Sequence, residues 1–291
     1  MSAVPSFYAE AKQRSEQSGA LLLEAERLAR SVVFGEHGRR RSGNGEHFWQ
    51  YRPFDEQSDE PRMIDHRRSA KQDQFFVRQL EWQTPQALHL WVDNSGSMQY
   101  QSKGYHSKRW RGAVLALAAA ISAEKAGEKV GFADGQLRPA LGFGQIEKMA
   151  QLLSHEGSDD YALLAPTEFM PNASALFVSD FLGDISILSK ALELASEVRV
   201  RGVVLQILDP SEVKFQFSGR AIFESMLGSV EHETLQASDL RSAYLKRLSA
   251  RQDEIEHLCK AAGWHFLCSD GQDNVSVTLQ RLCVSLGGEQ P

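Results

Sequence analysis

Cysteine is scarce in this chain: there are 3, Cys259, Cys268 and Cys283, all late in the sequence. Their spacing fits no zinc signature, and an odd count closes no disulfide framework. Reduced, half-buried thiols are the expectation, which suits a cytoplasmic protein. Basic charge is also in short supply. With 32 Lys and Arg against 38 Asp and Glu, the formal net charge is -6. Nucleic acid and anionic membrane surfaces both demand a basic face, so neither is expected as the main partner. The runs Arg39-Arg40-Arg41 and Arg67-Arg68 sit among polar residues and read as solvated loops or structural salt links. The longest apolar run, Ala113 to Ala123, is too short to span a bilayer. The opening MSAVPSFYAEAKQRSEQSG carries acids and no apolar core, so it does not read as a signal peptide. The 9 histidines form no H-x-x-x-H or H-E-x-x-H group, and neither a P-loop nor a G-x-S-x-G elbow is present.

What is there is an ordinary globular composition, 42% apolar over 291 residues, enough for one large domain or a core with an elaborated flank. Residues 8 to about 34 read as helix from the spacing of Ala20, Leu21, Leu23, Ala25, Leu28, Ala29 and Val32. Gly35 ends that pattern, and the polar stretch to Gly45 reads as a loop. FWQYRPF and QFFVRQLEWQ read as strands on either side of a charged turn. From Pro85 the chain alternates. ALHLWVD, EKVGFAD, ASALFVSD, RGVVLQILD and WHFLCSD are short apolar strands, separated by helical segments. Near-continuous apolar strands alternating with helices mean an open, mostly parallel sheet covered on both faces. Two regions follow: residues 1–84, a helical and hairpin-like flank packing on the core, and residues 85–291, the α/β domain.

In such a sheet ligands gather beyond the carboxyl ends of the strands. Three strands end in acids there, at Asp93, Asp180 and Asp209. The first continues as Asp93-Asn94-Ser95-Gly96-Ser97-Met98, which puts a carboxylate and two hydroxyls on alternate positions of one tight turn. Gly96 removes the Cβ that would block so sharp a path. Carboxylate and hydroxyl oxygens form a hard-ligand set suited to magnesium or manganese, and Asp180 can reach the same point from a later strand. The plainer reading is a self-capped turn at a helix N-terminus with no metal. Asp184 and Asp209 read as caps of the helices that follow them. His89, inside the first core strand, reads as a satisfied core residue, and the tryptophans read as packing.

Strand-D-x-S-x-S followed by a helix, with an Asp ending a later strand, resembles the metal-ion-dependent adhesion site of von Willebrand factor A domains. That resemblance implies a further threonine-like ligand from an intermediate loop. Ser158, in GSDDY, is one candidate and Thr167 another. More of the chain, QYRPF, RMIDHRRSAK and FVRQLEW upstream of the turn and LDPSEVKFQFSG downstream, resembles the bacterial family called domain of unknown function 58. Members typically read I-D-W-R-x-S-A; here His66 stands where the tryptophan is expected, between Asp65 and Arg67, with Ser69 closing the signature. Asp65 and Arg67 are expected to fix this segment by charged hydrogen bonds. Genes of this family commonly lie beside those for MoxR-type AAA+ ATPases. The resemblance therefore implies a partnership with such an ATPase, in chaperone-like assembly or maturation of a client protein.

Three functions compete. The first is a non-catalytic, divalent-metal-dependent protein-interaction module. The second is a structural scaffold whose metal site has decayed. The third is a hydrolase, because a strand-end Asp is also the nucleophile of haloacid-dehalogenase-type phosphatases. Those phosphatases need a second acid two residues on, and Ser95 stands there, which cannot do that proton transfer at neutral pH.

Overall fold

The computed structural model describes residues 7–32, 40–43, 47–55, 61, 64–69, 74–83, 87–155, 157, 159–161, 164, 169–224, 228 and 231–287. The chain forms two compact units, one of Glu36–Pro85 and one of Met1–Gly35 with Gln86–Pro291. The break at Pro85/Gln86 lies within a residue of the boundary expected near residue 84, but residues 1–35 group with the large unit and not with the flank. The opening helix, α1 (Phe7–Ala29), belongs with the large unit because its apolar face, Leu21, Ala25, Leu28 and Ala29, is buried in that unit's core.

The smaller unit is an antiparallel sheet in the order β1-β3-β2, from β1 (Arg40–Gly43), β2 (His47–Pro53) and β3 (Phe76–Gln83), with one helical turn, α2 (His66–Ser69). β1 lies where a polar loop was expected. Its residues lack a strand pattern of their own and are extended by pairing with β3, from Arg40 opposite Gln83 to Gly43 opposite Leu80. Asp65 organises the turn. Its Oδ1 accepts the Arg68 amide at 3.0 Å, and its carbonyl accepts the Ser69 hydroxyl at 2.8 Å. Ser69 Oγ in turn accepts the Phe76 amide at 2.9 Å, tying α2 to β3. Arg67 is exposed; the cation over the aromatic rings is Arg68, 5.5 Å from the Tyr51 centroid and 5.7 Å from that of Phe76.

The large unit is built on five strands: β4 (Ala87–Val92), β5 (Lys129–Phe132), β6 (Ser174–Ser179), β7 (Arg201–Ile207) and β10 (His265–Ser269). They lie in the order β10-β7-β6-β4-β5, each parallel to its neighbour. The intervening helices are α3 (Lys108–Lys125), α4 (Phe143–Leu153), α5 (Ile185–Glu197), α6 (Pro210–Lys214), α7 (Arg241–Ala262) and α8 (Val275–Gly287). A short antiparallel pair, β8 (Ala221–Glu224) and β9 (Glu231–Thr234), lies between α6 and α7 in the chain. The fold is thus an α/β sheet covered on both faces, as the alternation of strands and helices predicts.

Side chains leave a strand alternately to its two faces, so each strand feeds two cores. On β6, Leu176 and Val178 join a cluster with α1, α3, α4 and α8, while Ala175 and Phe177 join another with α5 and α7. Trp264 packs on Phe177 with ring centroids 4.8 Å apart, and its indole N–H donates to the Val200 carbonyl. Cys259 and Cys283 are buried free thiols and Cys268 is half-buried; burial pushes all three well above the ordinary thiol range.

Two features place the functional rim. The order reverses between β4 and β6: the chain leaves β4 for β5 on one side and then returns to β6 on the other. This makes the carboxyl ends of β4 and β6 the topological switch point. Gly112 brings α3 close above it: a Cβ there would lie 2.9 Å from Val178 Cγ1. No helix among the described residues is long and apolar enough to cross a membrane.

Candidate functional site

Asp93 and Asp180 leave the ends of adjacent strands, and each is only 2% exposed. The Asp93 amide donates to the Val178 carbonyl, continuing the β4–β6 ladder one step past the strand. Its Oδ1 accepts the Ser95 amide at 2.8 Å, which closes the tight turn, and its Oδ2 accepts the Ser179 hydroxyl at 2.7 Å. Ser95 Oγ and Ser97 Oγ lie 3.2 Å apart, so the two hydroxyls converge as the alternate spacing requires. Burial pushes the Asp93 carboxyl above the ordinary carboxylate range. Hydrogen bonds from Ser95 and Ser179 pull the other way without reversing it, and the charge of Asp180 adds to the rise.

The loop that follows α4 closes over this turn. The Gly96 amide donates to the Asp159 carbonyl and the Ser97 amide to that of Asp160, while the Gly157 amide donates to Asn94. A Cβ on Gly157 would meet the Asn94 carbonyl oxygen at 2.8 Å, so the close approach needs a glycine. Ser158 and Thr167, the candidates for a threonine-like ligand, lie outside the described residues. Beside the turn opens a mostly polar cleft of about 170 Å³, lined by Asp93, Asn94, Ser95, Asp134, Asp159 and Tyr161 among others.

Asp180 is engaged differently from Asp93. Its Oδ2 accepts the Lys108 ammonium at 2.8 Å, and its Oδ1 accepts the Leu182 amide at 3.1 Å. Lys108 Nζ also donates to Glu212 Oε1 at 2.7 Å, and the lysine side chain is 1% exposed. Burial alone would drive this ammonium toward neutrality, but the charges and hydrogen bonds of Asp180 and Glu212 overcome it and hold the lysine protonated. Glu212 is pushed above its ordinary range by burial, against the pull of Lys108. Sequence reasoning missed Lys108, Ser179 and Glu212. Only Glu212 carried a local signal, the D-x-x-E spacing of a capping box. That box is formed: Asp209 accepts the Ser211 amide at 2.9 Å, and Glu212 Oε2 accepts the Asp209 amide at 2.7 Å. Asp184 caps α5 through the Ser186 amide at 2.9 Å. Both helix-capping expectations therefore match the structure.

The donor set can be tested against the divalent ion that the von Willebrand factor A resemblance implies. Asp93, Ser95 and Ser97 offer hard oxygens from one turn and fit such an ion. Asp180 does not fit, because one of the donors it already accepts is itself a cation, the Lys108 ammonium. Like unit charges about 4 Å apart repel by about 4 kcal/mol at an effective dielectric of 20, and the figure doubles for a divalent ion. Asp180 is therefore not arranged to complete a metal shell with that turn.

Comparison with known families adds one decisive match: residues 50–254 fit the model described as protein of unknown function DUF58. The chain belongs to the DUF58 family. The match runs from β2 into α7, so it takes in part of each compact unit of this DUF58 chain and all of the rim just described. No curated protein matches it. Among solved structures, an aerotolerance-related membrane protein from Bacteroides fragilis is similar at 14% identity. The match covers 70% of this chain and 100% of that one, with a TM-score of 0.42. The conserved hypothetical protein BatB from Bacteroides thetaiotaomicron is similar at 14% identity over 71% of this chain and 100% of its own, with a TM-score of 0.39.

Proposed function

We propose that this DUF58 chain is a non-catalytic protein-interaction module of the von Willebrand factor A type, which docks a partner on the rim where β4 and β6 end. The observation that carries this reading is the way the two rim acids are held. Asp93 and Asp180 are buried, and every oxygen of both accepts a fixed internal donor. Buried and engaged in this way, neither presents a free oxygen to a substrate as a nucleophile or a proton-transfer group. What they do instead is fix the loops around them, and a rigid rim beside a polar cleft is suited to recognition.

The family resemblance supplies the partner in this proposal: a MoxR-type AAA+ ATPase, in cytoplasmic, chaperone-like assembly or maturation of a client. The same resemblance would add a magnesium or manganese ion on Asp93, Ser95 and Ser97, but the engagement of Asp180 by Lys108 does not fit one, and docking on the rim needs none. The test is co-purification of the full chain with the MoxR-type ATPase of the same organism in the presence of nucleotide. Asn94, exposed on the turn, is the residue to change. Asn94→Arg is expected to weaken capture about tenfold or more while leaving the fold intact. Capture unchanged by Asn94→Arg, or no capture by the native chain, would remove the rim from the proposal.

A further inference from the structure

We infer that the cation of this rim is the Lys108 ammonium, built into the chain in place of a divalent metal ion. The inference concerns the same rim as the docking proposal but needs no partner, since it is a statement about which cation the buried acids hold.

Lys108 is the first residue of α3, and its amide donates to the Tyr100 carbonyl at 3.1 Å, which anchors the backbone beside the site. Gly112 lies four positions on, on the same face of the helix, and lets α3 approach β6 closely enough for the lysine to reach past the sheet edge. The ammonium then finds two carboxylate oxygens, Asp180 Oδ2 and Glu212 Oε1, with the Tyr100 ring centroid 5.8 Å away. The second oxygen of each carboxylate is also committed, to the Leu182 amide in one case and the Asp209 amide in the other. All four oxygens of the two acids are thus satisfied without an ion. A metal seeking Asp180 would have to displace a lysine whose side chain is 1% exposed, or share one buried carboxylate with it. A tethered ammonium also has a property that a bound ion lacks: it is not removed by chelators or diluted away.

Mn2+ titration of the purified full chain, followed by the loss of the free-ion paramagnetic resonance signal, tests this. The native protein is expected to take up no Mn2+ below millimolar concentration and to show no metal-induced rise in melting temperature. Lys108→Ala removes the charge and leaves room between Asp180 and Glu212. It is expected to bind Mn2+ at least about tenfold more tightly than the native chain and to gain thermal stability with it. Micromolar binding by the native chain, abolished by Asp93→Ala, would overturn the inference. So would a folded Lys108→Ala variant with no more Mn2+ uptake than the native protein. Because the native titration decides without the variant, a Lys108→Ala chain that failed to fold would not remove the test. Neither readout involves the partner, so this inference and the docking proposal fail separately.

Discussion

Lys108 and Asp180, 72 positions apart in the chain, meet at 2.8 Å with side chains 1% and 2% exposed. Such a pair is costly to assemble and more costly to break, since removing one partner strands a buried charge. Lys108→Met is expected to destabilise the fold by about 3–5 kcal/mol, read from urea denaturation. Adding Asp180→Asn to that variant should recover part of the loss, because one of the two stranded charges is gone while Glu212 keeps the other. A double variant whose loss equals the sum of the single losses would mean that the two groups do not interact.

Two buried groups away from the rim should give stability opposite dependences on pH. Burial lowers the His89 imidazole, only 1% exposed, from 6.5 to about 4, so between those values the unfolded chain binds more protons than the folded one. Its contribution is complete above pH 6.5 and is lost as pH falls toward 4. Burial raises the Glu128 carboxyl from 4.5 to about 7, so between those values the folded chain binds more protons. Its contribution is complete below pH 4.5 and is lost as pH rises toward 7. Each effect is worth up to about 3 kcal/mol across its window. Relative to the native chain, His89→Leu should lose less stability on acidification from about pH 6.5 to 4.5, and Glu128→Gln should lose more. Parallel profiles for all three proteins, by denaturation at each pH, would contradict these assignments.

Gly112 is expected to tolerate no side chain. A Cβ there would lie 2.9 Å from Cγ1 of Val178, a β-branched side chain too stiff to yield cheaply. Gly112→Ala gains helix propensity of about 1 kcal/mol but should still lower stability by about 1–3 kcal/mol through overpacking. A stabilised variant would mean that α3 sits farther from the sheet than described.

Much of this was legible in the sequence. The five apolar strand segments were, because fully buried parallel strands need apolar side chains on both faces. So was the placing of Asp93 and Asp180 at the ends of strands on one edge, because the carboxyl ends of parallel strands share it. Asp184 and Asp209 were readable as caps from the residues just after them. The polar segment Arg40–Gly43 was not readable as a strand, because its conformation comes from pairing with β3. Nor was it readable that α1 belongs with the sheet unit, since an amphipathic stripe does not say what it packs against. Lys108 was hidden for the strongest reason. A lysine in the polar first turn of a helix ordinarily points to water, and only the three-dimensional meeting of α3, Asp180 and Glu212 makes it a buried counter-ion.

Hydrogen–deuterium exchange of the chain, alone and with the nucleotide-bound MoxR-type ATPase, tests docking on the rim most directly. Protection is expected in residues 94–107 and 181–184, where the turn and loops surround the buried acids, and it should be the same with chelator present. Protection confined to the outer faces of α5 and α7 would contradict docking on the rim, and rim protection that chelator abolishes would contradict a rim whose cation is Lys108.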